Sequence, residues 1–255
     1  MSQLENRQGE TQFLGYDCGL PPSVVPDGGA HYALAELVRE MQSEARPHPE
    51  EVMERFAAFA AAYIHGTAHA GVMLFSSKRG MRSSAATGGL PHLIDKIQEE
   101  LGEGPALDAL SGKSAVRVDD LEQETRWPSF PAAVVSETPV RSMLCLPIYT
   151  TVHNWGTLTL HSHLPYGFGD DAEELGAIVA THSALTLDVL HRNRQFRSAL
   201  GSRDIIGQAK GILMERYEIG ATAAFNLLTK VSQESGKPVV VIAKELIEAK
   251  PGGGR

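Results

Sequence analysis

Basic and amide side chains recur through the last fifth of the chain, where they could contact phosphate groups and exposed bases. Of the 23 Lys and Arg residues, nine lie in residues 197–255, against six of the 31 Asp and Glu residues. This tail therefore carries a local charge of +3, whereas the remainder of the chain carries −11. Because the excess is modest, we expect any binding to nucleic acid to be weak per copy and sensitive to salt. The same charges are equally compatible with ordinary solvated helix faces.

Three short helical patterns must position these side chains. Their apolar residues recur at spacings of three and four: Ile205, Ala209, Ile212 and Leu213; then Ala224, Leu227, Leu228 and Val231; then Val239, Ile242, Ala243 and Leu246. Gly220 separates the first two helices, and Gly236 ends the second, as glycine often does. Because isolated helices shorter than ~12–15 residues are marginal in water, we expect the three to exist as one packed unit.

The segments IGQAKGILMERY, AFNLLTKVSQESGK and VIAKELIE resemble the ANTAR domain, a three-helix RNA-binding module of bacterial transcription antitermination regulators. The resemblance implies that the tail binds RNA. Its targets would be tandem hairpins in nascent transcripts, and binding would prevent a terminator from forming. The candidate RNA-binding residues are basic side chains for phosphates and glutamines for exposed loop bases. They are Arg203, Gln208, Lys210, Arg216, Lys230, Gln233, Lys237 and Lys244.

One face of the first tail helix combines charge with access to the backbone. Arg203, Gly207, Lys210 and Met214 fall on this face, and Gly207 and Gly211 lie one turn apart, which permits close approach of another backbone. Each glycine costs roughly 1 kcal/mol relative to alanine inside a helix.

The tail departs from the ANTAR pattern at two places. The third helix begins with the apolar run Val239–Val241, where family members carry charged residues, and Thr229-Lys230 stands where two adjacent arginines are common. These departures leave an alternative open: the C-terminal helices could serve dimerisation or protein docking instead of RNA binding.

The region upstream of the tail alternates between short helices and short apolar strands. Strands are predicted at residues 70–76, 80–87, 114–118, 141–149 and 155–163, and helices at 33–44, 49–64, 90–101, just after 102–105, and 127–135. This succession, with the motifs GEGPALDAL, RWPSF, VRSMLCLPI and WGTLTLHS, resembles a GAF domain. The resemblance implies an α+β fold, in which a GAF-type antiparallel sheet is flanked by helices. A long linker helix and a small three-helix all-α domain would follow. It also implies a pocket on one sheet face for a small-molecule ligand, whose identity the sequence does not give.

Strand alternation predicts which side chains border that pocket. Cys145 and His161 fall on the sheet face opposite Leu144, Leu146, Leu158 and Leu160. We therefore predict that Cys145 and His161 line the pocket. Trp127 and Phe130 are further candidates, although core packing accounts for both aromatic rings at least as well. Related actinobacterial sequences often carry cysteine at the position of Ala106, so a sensor that uses that thiol is not expected here.

No constellation in the sequence predicts catalysis. His161 and His163 share a strand face, as two metal ligands would, but histidines in a hairpin are more often hydrogen-bonded or surface residues. Zinc-type Cys/His spacing, a glycine-rich phosphate loop and a serine nucleophile motif are not found. Glu103 and Asp108 fit roles in a turn and a helix start better than a pair of catalytic carboxylates. We predict a non-enzyme with no catalytic residues, no metal site and no cofactor. An unrecognised redox or hydrolytic activity remains the alternative.

A nearly unbroken helical pattern over residues 170–217 carries an apolar stripe. Its members are Leu175, Ile178, Val179, His182, Leu185, Val189, Phe196 and Leu200, and the weakest point is Gly201-Ser202. A stripe of this length predicts a coiled-coil homodimer. Two helices packed within one monomer are the alternative.

The expected organisation has five parts. These are a flexible segment (1–29), the GAF sensor domain (30–192), the linker helix (193–202), the ANTAR domain (203–250) and a flexible tail (251–255). No apolar run approaches the ~20 residues of a membrane helix, and the N-terminus lacks the apolar core of a signal peptide. These features predict a cytoplasmic protein without a membrane partner.

Overall fold

A computed structural model describes residues 27–43, 48–76 and 80–249. Its elements, in chain order, are α1 (Asp27–Ser43), α2 (Pro49–Tyr63), β1 (His69–Ser76), β2 (Gly80–Ala86), α3 (Gly89–Leu101), α4 (Pro105–Gly112), β3 (Val116–Val118), α5 (Phe130–Glu137), β4 (Ser142–Tyr149), β5 (Asn154–Ser162), α6 (Asp170–Tyr217), α7 (Ala221–Ser235) and α8 (Val239–Glu248). The chain divides into two compact units, one of residues 1–149 with 154–182 and the other of residues 150–153 with 183–255. Each unit is described by itself.

The first unit is built on a five-stranded sheet in the order β2-β1-β5-β4-β3. Every neighbouring pair is antiparallel, and β4 and β5 form a hairpin in which Leu146 lies opposite Leu158. Helices α2, α3 and α4 pack on the strands. The predicted α+β class, with an antiparallel sheet flanked by helices, is confirmed.

The two faces of the sheet carry different side chains. On one face, Leu144, Leu146, Leu158 and Leu160 are fully buried, and a side chain at Gly176 of α6 would collide with Leu146. The opposite face carries an apolar cluster that joins the sheet to α3, α4 and α5. It contains Met73, Met81, Ile94, Ile97, Ala106, Ala109, Val118, Leu121, Trp127, Phe130, Val134, Val140, Met143 and Cys145, and is called the helix-covered layer below.

Several predicted boundaries were wrong, among them the starts of α1 and α5; β3 also begins at Val116 and not at residue 114. Helix α1 begins at Asp27, so residues 27–29 are helical and not part of a flexible segment; the rest of that predicted segment and residues 251–255 lie outside the described residues. Gly28 and Gly29 are tolerated there because the first turn of a helix has few intrahelical bonds to lose. Helix α5 begins at Phe130 and not at Trp127, because the carboxylate of Glu103 accepts the backbone N–H groups of Ser129 and Phe130 at 2.6 and 2.7 Å.

Helix α6 is continuous for 48 residues and passes through Gly201-Ser202 without a break. Its predicted apolar stripe is two stripes in the structure. Val179 is buried, as are the smaller residues Ala172 and Ala180. Leu185, Val189, Phe196 and Leu200 are instead 51%, 46%, 65% and 45% exposed. These four large apolar side chains are defined here as the exposed stripe.

The three-helix tail is part of the second unit. Its core consists of Ala209, Leu213, Ala224, Leu228, Ile242 and Ala243, with Ile205, Ile206, Ile219, Val239, Leu246 and Ile247 packed against it. Gly236 ends α7 in the left-handed conformation (φ 67°), as its position in the sequence predicts. The predicted trio is confirmed, except that Leu227 and Val231 are 38% and 39% exposed and do not belong to the buried face.

Candidate functional site

The eight candidate RNA-binding side chains lie on all three tail helices. Arg203, Gln208, Lys210 and Arg216 lie on α6, Lys230 and Gln233 on α7, Lys237 in the following turn, and Lys244 on α8. All are exposed except Lys210, which is half-buried. The sequence therefore placed every candidate outside the tail core.

The four candidates on α6 do not share one face. At 3.6 residues per turn, Gln208 points roughly 160° away from Lys210. Arg203 and Lys210 share a side with Gly207 and Met214, and Met214 is 37% exposed. Among the described residues, nothing lies within 4 Å of where a side chain at Gly207 or Gly211 would start, so the backbone of α6 is open to close approach there.

Lys210 also contacts its own domain. Its Nζ lies 6.0 Å from the ring centroid of Phe225 on α7, a cation–π contact at the edge of its useful range. Phe225 is itself 43% exposed. The ring therefore holds the ammonium group near the junction of α6 and α7.

Two candidate cations are paired with acids. Lys237 Nζ lies 2.6 Å from Glu245 Oε1, and Lys230 Nζ lies 3.9 Å from Glu234 Oε1. Both pairs are exposed, and such pairs contribute little to stability. Within the described part of the chain, Arg203, Arg216 and Lys244 form no ion pair. The most available positive charge is therefore on α6 and α8.

The apolar start of α8 is divided between core and surface. Val239 packs against the tail core, whereas Val241 is 36% exposed. The run that departs from the ANTAR pattern is thus explained in part by packing. Val241 therefore joins Leu227 and Val231 of α7 as an exposed apolar side chain of the tail, in addition to Met214, Tyr217 and Phe225.

The four predicted pocket residues lie on one side of the sheet. Cys145 and His161 are on the strands, and Trp127 and Phe130 belong to the segment that packs over them. Cys145 is fully buried in the helix-covered layer with Trp127 and Phe130. His161 is also fully buried and faces the same side, because it pairs with Met143 in the β4–β5 ladder. Burial lowers the pKa of His161 to about 3, so its imidazole is neutral at physiological pH. Burial also raises the pKa of the Cys145 thiol well above its usual value.

Trp127 and Phe130 have structural partners. Their rings meet edge-to-face with centroids 5.9 Å apart, and Nε1 of Trp127 donates to Oδ2 of Asp108 at 3.1 Å. The Arg126 guanidinium lies 4.6 Å from the indole centroid. These contacts, with the capping role of Glu103, account for the RWPSF and GEGP motifs as fold-forming features.

Sequence reasoning missed a group of buried polar side chains in the helix-covered layer. Asp95 and Gln98 on α3 and Thr157 on β5 are at most 1% exposed. Ser83 Oγ donates to Asp95 Oδ2 at 2.6 Å, and His92 Nδ1 lies 2.6 Å from the same hydroxyl oxygen. Burial raises the pKa of Asp95 to about 7, an effect that the Ser83 hydrogen bond opposes. The Thr-Leu-Thr-Leu-His alternation of residues 157–161 could have revealed this polar face.

Two further properties concern metals and membranes. Among the described residues, no three His, Cys, Asp or Glu side chains are grouped so that they could hold a metal ion. None of the described helices has a stretch that is both long and apolar enough to cross a membrane.

Comparisons with known proteins agree with this architecture. The GAF domain model matches residues 47–188, more than half of the chain, and the ANTAR domain model matches residues 194–247. No curated protein matches the chain significantly.

Solved structures share the fold of the sensor region. The free methionine-R-sulfoxide reductase of Neisseria meningitidis, in complex with its substrate, is 15% identical with a TM-score of 0.53, covering 69% of this chain and 98% of its own. The GAF domain of the Acinetobacter phosphoenolpyruvate-protein phosphotransferase is 16% identical with a TM-score of 0.51, covering 64% and 94%. The corresponding Coxiella burnetii domain is 12% identical with a TM-score of 0.54, covering 67% and 99%. At these identities the similarity shows the fold alone.

Proposed function

This chain belongs to the GAF domain family and continues into an ANTAR domain, and on that premise we propose that it is a signal-responsive transcription antitermination regulator. The pairing of the two domains is that of a signal-regulated RNA-binding protein. In the proposal, the sensor domain responds to a small molecule, and the three tail helices bind tandem hairpins in nascent transcripts. This activity would place the protein in the cytoplasm.

The observation that carries the RNA proposal is the open face of α6 in the tail. Arg203 and Lys210 supply positive charge on that face, and the backbone at Gly207 is accessible. Phosphate contacts from basic side chains position a protein on nucleic acid, and the missing side chain at Gly207 lets the RNA approach the helix closely enough for such contacts. Gln208 and Gln233 are exposed and could read unstacked loop bases, which is where sequence-specific RNA recognition concentrates.

The exposed stripe of α6 supports a homodimer. Leu185, Val189, Phe196 and Leu200 are spaced four, seven and four residues apart, which keeps them on one side of the helix. A second copy of the same helix is the partner whose apolar pattern matches this spacing. Dimerisation would present two tails, and two linked weak sites gain avidity without any new contact.

The proposal includes no catalytic step. Cys145 is the one cysteine among the described residues, and it is buried. Because burial raises the pKa of its thiol, little of it exists as the thiolate that acts as a nucleophile.

A second function is favoured by a specific observation. Leu227, Val231 and Val241 are each more than a third exposed on the tail. A tail that docked another protein would use apolar side chains of this kind. We rank this alternative second because the tail also exposes seven of the eight RNA candidates.

RNA recovered with the protein separates the two functions. The dimer is purified from its native host under mild salt, and the bound RNA is sequenced. Enrichment of tandem hairpins supports antitermination, whereas protein recovered without enriched RNA supports docking.

A further inference from the structure

The helix-covered layer contains buried polar atoms that the protein leaves without partners. Among the described residues, Asp95 Oδ1, Gln98 Nε2 and Thr157 Oγ1 make no hydrogen bond, although their side chains are essentially inaccessible. Buried polar groups are nearly always hydrogen-bonded, since an unpaired one loses its interactions with water and gains nothing. Three such atoms in one layer, with His161 Nε2 as a fourth on the same sheet face, therefore require a reason.

The three atoms lie on neighbouring parts of the same layer. Asp95 and Gln98 are three residues apart on α3, so they occupy adjacent turns of one helix face. Asp95 is tied to Ser83 on β2, and Ser83 pairs across the sheet with Met73, which in turn pairs with Thr157. Paired residues of an antiparallel ladder share a face, so Ser83, Met73 and Thr157 form one row beneath α3.

Gln98 is held in a fixed orientation. Its Oε1 accepts the backbone N–H of Ala106 at 2.8 Å, which joins α3 to the start of α4. With the oxygen engaged, the amide nitrogen is the group that has no partner. Asp95 is held in the same way, because Oδ2 receives the Ser83 hydroxyl and Oδ1 has no partner. The layer therefore offers a donor from Gln98, an acceptor from Asp95 and a hydroxyl from Thr157.

We propose that this layer is the sensor's ligand site and that its ligand is a small uncharged molecule with an N–H donor beside a C=O acceptor, as in an amide, urea or lactam. The ligand N–H donates to Asp95 Oδ1, and the ligand carbonyl accepts from Gln98 Nε2. Thr157 completes the set, and the surrounding methionine and isoleucine side chains contact the apolar part of the ligand. The inference rests on the sensor role proposed above and specifies its ligand class.

The composition of the layer excludes charged alternatives. The buried polar side chains of the described residues include no Lys or Arg, and the buried His161 is neutral, so an anion would find no counter-charge. A cation would meet a single carboxyl group, and one oxygen of that group already accepts from Ser83. Moving either ion out of water into this apolar layer is costly.

Two threonines on β5 provide a matched test. Thr157 and Thr159 are both fully buried and point to the same sheet face, but the hydroxyl of Thr159 donates to the carbonyl of Gly71 at 3.2 Å while that of Thr157 has no partner. Replacing an unpaired buried hydroxyl by a methyl group is neutral or stabilising, whereas removing a satisfied one costs stability. We expect Thr157→Val to hold or raise the melting temperature of the full-length protein, and Thr159→Val to lower it.

The ligand class is tested with three small probes of similar size: the uncharged lactam 2-pyrrolidinone, the anion propionate and the cation pyrrolidinium. Binding to the full-length protein is followed through the methyl carbons of Met73 and Met143, which lie in the helix-covered layer. For six heavy atoms we expect a dissociation constant on the order of millimolar for the lactam. Thr157→Val and Asp95→Leu should each weaken lactam binding roughly tenfold, the equivalent of one lost hydrogen bond.

Several results would overturn the inference. They are preferential binding of either charged probe, absence of methyl shifts with the lactam, and a loss of stability in Thr157→Val as large as that in Thr159→Val. The last result would mean that an internal water satisfies the hydroxyl. None of them affects RNA binding by the tail, so this inference can fail while the proposed regulator stands.

Discussion

The hydroxyl of Ser83 on β2 donates a 2.6 Å hydrogen bond to Oδ2 of Asp95 on α3, and this pair joins the edge of the sheet to the helix above it. The carboxyl group is almost fully buried, and burial raises its pKa from 3.8 to about 7. His92 contacts the same hydroxyl, and Cys145 interacts electrostatically with Asp95. Among the described residues, the carboxyl group of Asp95 forms no ion pair, so burial opposes its negative charge and no neighbouring cation offsets that effect.

The first prediction concerns the pH dependence of stability. The folded state holds the Asp95 proton more tightly than the unfolded state, so ionisation of Asp95 penalises folding as pH rises from about 4 to about 7. The penalty is absent below pH 4, complete above pH 7, and at most about 4 kcal/mol. Asp95→Asn should therefore be more stable relative to the wild type at pH 8 than at pH 5, as measured by urea unfolding.

The control for this prediction is Asp171→Asn, at an exposed position in the first turn of α6. Its stability difference from the wild type should be nearly the same at the two pH values. If Asp95→Asn behaves like this control, the carboxyl group is compensated by a contact that the structure does not contain.

The second prediction concerns the exposed stripe of α6. The double variant Leu185→Glu, Val189→Glu places charges on the proposed dimer interface, and we expect it to sediment as a monomer at micromolar concentration. The matched control is Gln195→Glu, Ser198→Glu, whose positions lie roughly 120° or more away from Val189 around the helix. A dimeric stripe variant, or a wild type that sediments as a monomer, would contradict the coiled-coil interface.

The third prediction concerns the cap of α5. Glu103 accepts two backbone N–H groups at the helix start, so Glu103→Ala leaves both without an acceptor. We expect a loss of about 1–2 kcal/mol in the free energy of unfolding. Glu103→Gln should recover part of it, and Glu99→Ala, at an exposed position on α3, should cost far less. An equal loss of stability in Glu103→Ala and Glu99→Ala would show that Glu103 does not cap α5.

Periodicity predicted most of the fold because apolar spacing reports burial directly. The hairpin, the faces of Cys145 and Leu146, and the tail trio all follow from period 2 or period 3.6. Boundaries set by distant residues could not be predicted in this way. The start of α5 depends on Glu103, which lies 27 positions before Phe130 in the chain.

The buried polar side chains of the helix-covered layer and the two stripes of α6 were not predicted, for a related reason. Asp95 and Gln98 resemble solvent-facing residues of an amphipathic helix, and only the structure shows that their side of α3 is buried. On α6, the buried side includes small residues such as Ala172 and Ala180, whereas the larger Leu185 and Val189 are exposed. Because Val179 and Leu187 are buried on the same helix, hydrophobic size alone could not separate its buried side from its exposed side.

The fourth prediction concerns Lys210. Lys210→Ala should weaken binding to tandem-hairpin RNA and make the affinity less dependent on salt, because one phosphate contact is removed. The contact with Phe225 is worth no more than about 0.5–1 kcal/mol at an exposed site, so the melting temperature should change little. Lys210→Arg should retain binding. A variant that loses stability while keeping its RNA affinity and salt dependence would assign Lys210 a structural role.

The central claim, that the dimer binds RNA through its two tails, is tested most directly by comparing RNAs of equal length. The full-length wild-type protein is titrated with a tandem-hairpin RNA, a single-hairpin RNA and an unstructured RNA at one fixed salt concentration. The account predicts that the tandem hairpin binds most tightly, and that this preference is lost in the Leu185→Glu, Val189→Glu variant, because a monomer has one tail. Equal affinity of the wild-type dimer for all three RNAs would contradict the claim.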